Sequence, residues 1–160
     1  MLAGIWHTSF TVKNLEESIR FYRDVLGMRL VHVQEQANEY TRKLVGYPDA
    51  SLKVAMFALP GQDHPPSGHV LELIEYVSPK GDFVPPGTAH VRSAHLAFVV
   101  RNIHDYVRQL KNLGVRFKSD VVEITAGRNK GGFTVYFLDP DDITLELVQP
   151  PTHGNTEQSG

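Results

Sequence analysis

Apolar and polar positions along the chain follow two alternating periods. Residues 4–12 gather β-branched and aromatic side chains into a short run that predicts a strand. Leu15, Ile19, Tyr22 and Leu26 then recur at i, i+4, i+7 and i+11, the stripe of one helix face. Asn14 stands at the N-cap position with Glu17 three residues on, a loose capping box, and Gly27 suits the residue just past the helix end. Strand runs follow over 28–36, 52–59 and 70–77. The second half repeats the order. Residues 95–100 read as a strand, Asn102 as a cap with Asp105 behind it, Ile103, Val107 and Leu110 as the helix stripe, and Gly114 as its stop. Strands at 115–122, 132–138 and 143–149 complete it, with DPDD (139–142) turning between the last two.

The two halves are also similar residue by residue. HTSFTVKNLEESI (7–19) lies over HLAFVVRNIHDYV (95–107) at an offset of 88, which pairs His7 with His95, Phe10 with Phe98 and Asn14 with Asn102. LGMRL (26–30) matches LGVRF (113–117) at an offset of 87, and LELIEY (71–76) matches LELVQP (145–150) at 74. Three matches in one order mark an internal repeat. The expected fold class is therefore α+β, two tandem βαβββ modules over 1–77 and 93–149. The Pro- and Gly-rich segment 78–92 is the expected linker, and the polar stretch 150–160 the expected tail, within one structural domain overall. A second loop, GQDHPPSG (61–68), interrupts the first half.

Composition narrows the function. Sixteen Lys and Arg stand against 18 Asp and Glu, so no basic excess exists to hold a nucleic-acid backbone. No apolar run approaches the ~20 residues of a membrane-spanning helix, and the first residues lack the pattern of a secretory signal. Cysteine is absent, which removes disulfides, thiolate metal sites and Cys nucleophiles. The expectation is a cytoplasmic protein acting on a small molecule, with neither nucleic acid nor membrane as partner.

Side-chain alternation along strands then sorts the polar residues. Trp6, Phe10 and Val12 share one face and are expected to pack on the helix, leaving His7 on the other. Leu96 and Phe98 pack and His95 faces away; Leu71 and Leu73 pack and Glu72 faces away; Leu145 and Leu147 pack and Glu146 faces away. Glu75 has the opposite parity and is expected near the helix side or the rim. Two His and two Glu thus occupy repeat-equivalent places on the non-helix faces. Imidazole and carboxylate donors gathered at one point hold a divalent cation, and four of them leave two octahedral positions open. The competing reading is four unrelated polar residues on solvated strands, which their recurrence in both halves disfavours.

These residues carry a family resemblance. HTSFTVKNLEESIRFYRDVLGM, GHVLELIEY, SAHLAFVV and FLDPDDITLELVQ resemble the vicinal oxygen chelate superfamily, also called the glyoxalase/bleomycin-resistance/dioxygenase group, over about 1–149. The resemblance implies paired βαβββ modules forming an incomplete barrel around a metal site. It carries the metal ligands onto His7, Glu72, His95 and Glu146, with one divalent ion per site drawn from Zn, Ni, Co, Mn or Fe. The His-Glu-His-Glu set is similar to that of glyoxalase I (lactoylglutathione lyase) and related isomerases and epimerases, including cyclitol epimerases that act on an α-hydroxyketone. Methylmalonyl-CoA epimerases usually have Gln where this chain has Glu72. Thr11 stands where glyoxalase I commonly has the Arg that holds glutathione, and Asp142 replaces the Gly of the family's DPDG turn.

What the resemblance implies chemically is proton abstraction next to a carbonyl through a metal-bound enediolate. Glu146 is the first choice for the base and Glu72 the second. Arg128 and Lys130, in the Gly-rich loop TAGRNKGG (125–132), are the candidate substrate contacts, and His69 and His90 are weaker ones at the pocket mouth. The alternatives within the superfamily are a ring-cleaving dioxygenase and a non-enzymatic ligand- or drug-binding protein. Family members pair modules to cover sheet edges, so a homodimer is expected.

Overall fold

A computed structural model describes residues 1, 3–62, 69–84 and 87–151. It divides into two compact units, Met1–Val84 and Pro85–Gly160, the boundary falling inside the expected linker. Most of the loop expected at 61–68 and nearly all of the expected tail lie outside the described residues. Among the described residues no helix is long and apolar enough to cross a membrane.

The first unit is one four-stranded sheet with helices. Its elements are β1 (Thr8–Thr11), α1 (Leu15–Arg20) continued by a π-helical turn over Phe21–Val25, β2 (Arg29–Gln36), α2 (Glu39–Val45), β3 (Ser51–Ala58) and β4 (Val70–Ser78). The order across the sheet is β1-β4-β3-β2, with β1 parallel to β4 and the rest antiparallel. Asn14 caps α1 as expected: its backbone is extended and its Oδ1 accepts from the Glu17 N–H at 3.0 Å. A second acceptor comes from the sheet, where Glu75 Oε2 takes the Leu15 N–H at 2.8 Å. That fixes the helix to β4 and accounts for Glu75 standing on the helix side. Leu15, Tyr22, Phe57, Leu71 and Leu73 are each at most 2% exposed and form the core.

Two expectations are corrected in this unit. The first strand starts at Thr8 rather than residue 4, and Trp6 is 59% exposed instead of packing on the helix. Beyond the point where β4 pairs with β1 no backbone ladder holds residues 4–7 flat, so strand alternation ceases to govern them. Helix α2 was not foreseen. Its two large apolar side chains, Tyr40 and Leu44, are each 67% exposed, so it presents no apolar stripe to a core. What defines it is local: Asn38 Oδ1 accepts from the Thr41 N–H at 2.9 Å, and Gly46 closes it at φ 78°.

The second unit repeats the plan with β5 (Leu96–Val99), α3 (Ile103–Asn112), β6 (Arg116–Phe117), β7 (Val122–Glu123), β8 (Phe133–Leu138) and β9 (Thr144–Gln149). The order is β5-β9-β8-β6, β5 runs parallel to β9, and β7 also pairs with β8. Asn102 caps α3 through the Asp105 N–H, and Gln149 Oε1 accepts from the Ile103 N–H at 2.8 Å, the counterpart of Glu75. Ile103, Leu110, Phe137, Leu145 and Leu147 are at most 1% exposed. The strand expected at 115–122 is broken into β6 and β7, both on β8. Lys118 N–H still reaches Tyr136 O at 2.9 Å, after which the polar Ser119 and Asp120 leave the ladder.

The turn at 139–142 is built by its own side chains. Asp139, 1% exposed, accepts on Oδ1 from the Asp141 and Ile143 N–H groups, both at 2.8 Å. Asp142 takes a left-handed backbone, φ 62°, which aspartate tolerates better than most residues. The departure from the family's Gly therefore leaves the left-handed turn intact.

Candidate functional site

The register of β1 on β4 sets the first pair of site residues. Ser9 lies opposite Glu72, and His7, just before the paired strand, is set beside Glu72 by direct contact rather than by strand alternation. Leu71 and Leu73, on either side of Glu72, are at most 2% exposed and anchor the strand by its other face. His7 Nε2 comes within 3.3 Å of Glu72 Oε2. The second unit reproduces this through Ala97 opposite Glu146, with Leu145 and Leu147 anchored in its core. His95 Nε2 lies 3.2 Å from Glu146 Oε2. Both glutamates are largely covered, 18% and 16% exposed, and both histidines are more open.

The four ligand candidates thus come as two like pairs, one in each unit. Among the described residues no third His, Asp or Glu joins either pair. The spacing suits a metal. Two donors at about 2.1 Å from one ion and 90–109° apart are separated by ~3.0–3.4 Å, which brackets both measured distances. Imidazole with carboxylate is the donor chemistry of intermediate divalent ions such as Zn, Mn, Fe, Co or Ni. His7 Nδ1 is buried without a hydrogen-bond partner, so the ring's polar contact runs through Nε2. His95 is set differently, with its ring edge-on to Tyr136 at 5.2 Å between centroids. Tyr136 is also the cross-strand neighbour of Glu146; in the first unit Met56 neighbours Glu72.

One residue in contact with the site went unread in the sequence. Thr134 Oγ1 lies 2.5 Å from Glu146 Oε1 and 3.0 Å from Leu147 O. Thr134 pairs with Val148 on β9, two residues beyond Glu146, so it shares that face and reaches Glu146 diagonally. A lone Thr on the otherwise apolar FTVYFL strand, in phase with Glu146 once the β8–β9 register is known, was the available signal.

A cleft of about 530 Å³ opens on the second unit, and neither His95 nor Glu146 lines it. Its wall includes Ala97, Val99 and Val148, which share the face of His95 and Glu146, together with Pro150, Pro151, Arg128 and Asn129. Of the two loop cations named from sequence, Arg128 lines this cleft and Lys130 does not; the Lys130 N–H closes a turn onto Gly127 O. His69 and His90 are exposed and line neither this cleft nor a second depression along α3. In that second depression the cations are already paired, Arg108 with Asp105 and Lys111 with Asp120.

Comparison with known proteins agrees with the family resemblance. Residues 4–147 match the Glyoxalase/Bleomycin resistance protein/Dioxygenase superfamily. Over 159 residues, 97% of this chain and 84% of the relative, the sequence is 31% identical to a 2-epi-5-epi-valiolone epimerase from an Actinomyces species. It is 33% identical over 148 residues, 91% of this chain and 89% of the relative, to a probable lactoylglutathione lyase of Vibrio parahaemolyticus. The crystal structure of a glyoxalase family protein from Bacillus cereus aligns with a TM-score of 0.79 over 94% of this chain and 96% of that one, at 19% identity, a likeness of fold.

Proposed function

We propose that this chain, which belongs to the Glyoxalase/Bleomycin resistance protein/Dioxygenase superfamily, is a metal-dependent isomerase or epimerase that moves a proton next to a carbonyl. The observation that carries the reading is the His–Glu pair repeated at 3.3 and 3.2 Å in equivalent places of both units. In this reading His7 with Glu72, and His95 with Glu146, are the metal ligands.

A bound divalent ion supplies Lewis-acid polarisation of a hydroxycarbonyl substrate's adjacent oxygens, worth several kcal/mol at the charged transition state. The chain's residues do the rest. Glu72 and Glu146 are the groups able to accept the carbon-bound proton and return it, since each is largely covered and set beside an imidazole. Return to the neighbouring carbon gives isomerisation; return to the opposite face of the same carbon gives epimerisation. The apolar wall of the cleft holds the substrate's carbon frame, and Arg128 and Asn129 offer donors to its oxygens.

The substrate class follows from what the first strand lacks. Thr11 is exposed, and no cation stands there to hold a glutathione carboxylate. A compact polyhydroxy ketone fits better, in line with the epimerase relative. We extend the reading to a homodimer: β2 ends the first unit's sheet and carries Val31 and Val33 exposed, an edge that a second copy would cover.

The test is metal analysis of purified protein together with solvent-deuterium exchange at the α-carbon of a cyclitol hydroxyketone and of the methylglyoxal–glutathione adduct. A bound divalent ion, with exchange faster on the hydroxyketone, is expected. Protein that cannot be loaded with any divalent ion, or that exchanges neither substrate, overturns the reading. Sedimentation at micromolar concentration checks the assembly, and a monomer sinks that part of it.

A further inference from the structure

The two carboxylates are set differently. Glu146 is engaged at both oxygens: Oε2 faces His95 Nε2 at 3.2 Å and Oε1 faces the Thr134 hydroxyl at 2.5 Å. The hydroxyl has two acceptors in reach, Glu146 Oε1 and Leu147 O, and the charged one is nearer and stronger. Among the described residues of the first unit no hydroxyl stands in that place. Tyr136 pairs with Glu146 as Met56 pairs with Glu72, and two residues back along each strand Thr134 pairs with Val148 as Val54 pairs with Ile74. The counterpart of Thr134 is therefore Val54, 3% exposed and without a donor.

We infer that Thr134 is a positioning residue: it locks the rotation of the Glu146 carboxylate, so that Glu146 is the fixed ligand and Glu72 the carboxylate free to turn. This rests on the metal-ligand reading above. A carboxylate that receives a proton and hands it on needs room to rotate, and the hydroxyl denies that to Glu146 while nothing at Val54 denies it to Glu72. The order of preference for the base taken from family resemblance, Glu146 before Glu72, is thereby reversed.

The test is cobalt(II) titration of the metal-free full-length protein, followed by visible absorption of the bound ion and by competition with a chelator. Thr134→Val keeps the shape and removes the hydroxyl. Ligand-orienting partners of this kind are worth about 10–100-fold in metal affinity. We expect Thr134→Val to bind cobalt at least ~10-fold more weakly, with an altered absorption band, and Thr134→Ser to restore both. Circular dichroism checks the fold of each variant, and Thr134→Ala replaces the Val variant if that one does not fold. Wild-type affinity in the hydroxyl-free variant, or a Ser variant as weak as the Val one, overturns the inference and leaves the metal site standing. Wild-type protein that binds no cobalt overturns the site itself, and this inference with it.

Discussion

The first unit is the longer copy and the second the tighter one. Both keep an Asn N-cap on the helix and a sheet-borne side chain, Glu75 or Gln149, on the helix's first N–H. Both keep a His–Glu pair on the opposite face. They part company elsewhere. The first inserts α2 and a long β3–β4 connection; the second joins β8 to β9 by a five-residue connection and breaks its first antiparallel strand in two. The aromatic partner of the central Phe also changes side. Phe57 packs at a tilt on Tyr22 of the helical segment, whereas Phe137 packs at a tilt on Phe117 of β6, and Leu110 takes the helix position. What the copies share is what places the pair. What differs lies on the far strands and connections, apart from two exchanges beside the pair: Tyr136 against Met56 and, the exception that changes a hydrogen bond to the carboxylate, Thr134 against Val54.

The largest expected effect tests that exception. Glu72→Gln removes the turning carboxylate, and α-carbon exchange falls by ~10²–10⁴ while the ion stays bound. Glu146→Gln lowers metal affinity first, and its exchange recovers in part at saturating metal. Equal losses at equal occupancy make the two units functional equals and erase the distinction drawn from Thr134.

Next in size is the shared core. Phe57 and Phe137 are both fully buried and hold equivalent places in register. Truncating either to Ala is expected to cost about 3–5 kcal/mol, read as a shift of the denaturant midpoint. A much smaller loss for Phe137 than for Phe57 identifies the second core as the looser, since its aromatic partner sits on the two-residue strand β6.

Much of this was legible in the sequence where local rules act alone. The caps at Asn14 and Asn102, the stripes of α1 and α3, and the parity that sets Glu72 and Glu146 apart from their leucine neighbours depend on spacing along one element. Three things were not legible, each for a physical reason. Helix α2 is closed by its caps and buries no stripe, so hydrophobic periodicity has nothing to detect. Trp6 fell outside the paired part of β1, where alternation stops meaning burial. Thr134 reaches Glu146 across two strands, and that contact exists only once the β8–β9 register is fixed. The candidate site residues stood out because the repeat supplied a second reading of each position, which is why His7 could be weighed against His95.

The smallest expected effect concerns the turn that the first unit lacks. Asp142 holds a left-handed backbone at φ 62°, and its Oδ1 lies 2.6 Å from Arg116 Nη2. Two opposing contributions meet there. A left-handed residue with a Cβ costs roughly 1–2 kcal/mol, somewhat less for Asp, and Gly escapes that cost. The Arg116 pair is partly exposed, 56% and 38%, and so is worth only about 0–1 kcal/mol. Arg116 keeps its second contact, Nη2 to Asp139 O at 3.1 Å, whatever stands at 142. Asp142→Gly relieves the backbone, loses the pair and loosens the unfolded chain, so its net effect should stay within about 1 kcal/mol. Asp142→Ala keeps the strain and loses the pair, and should be about 1–2 kcal/mol less stable than the Gly variant. Paired thermal or denaturant melts of the two variants measure the difference directly. If Ala and Gly prove equally stable, residue 142 does not hold a left-handed conformation in solution, and the tight turn is not what sets the β8–β9 register that brings Thr134 to Glu146.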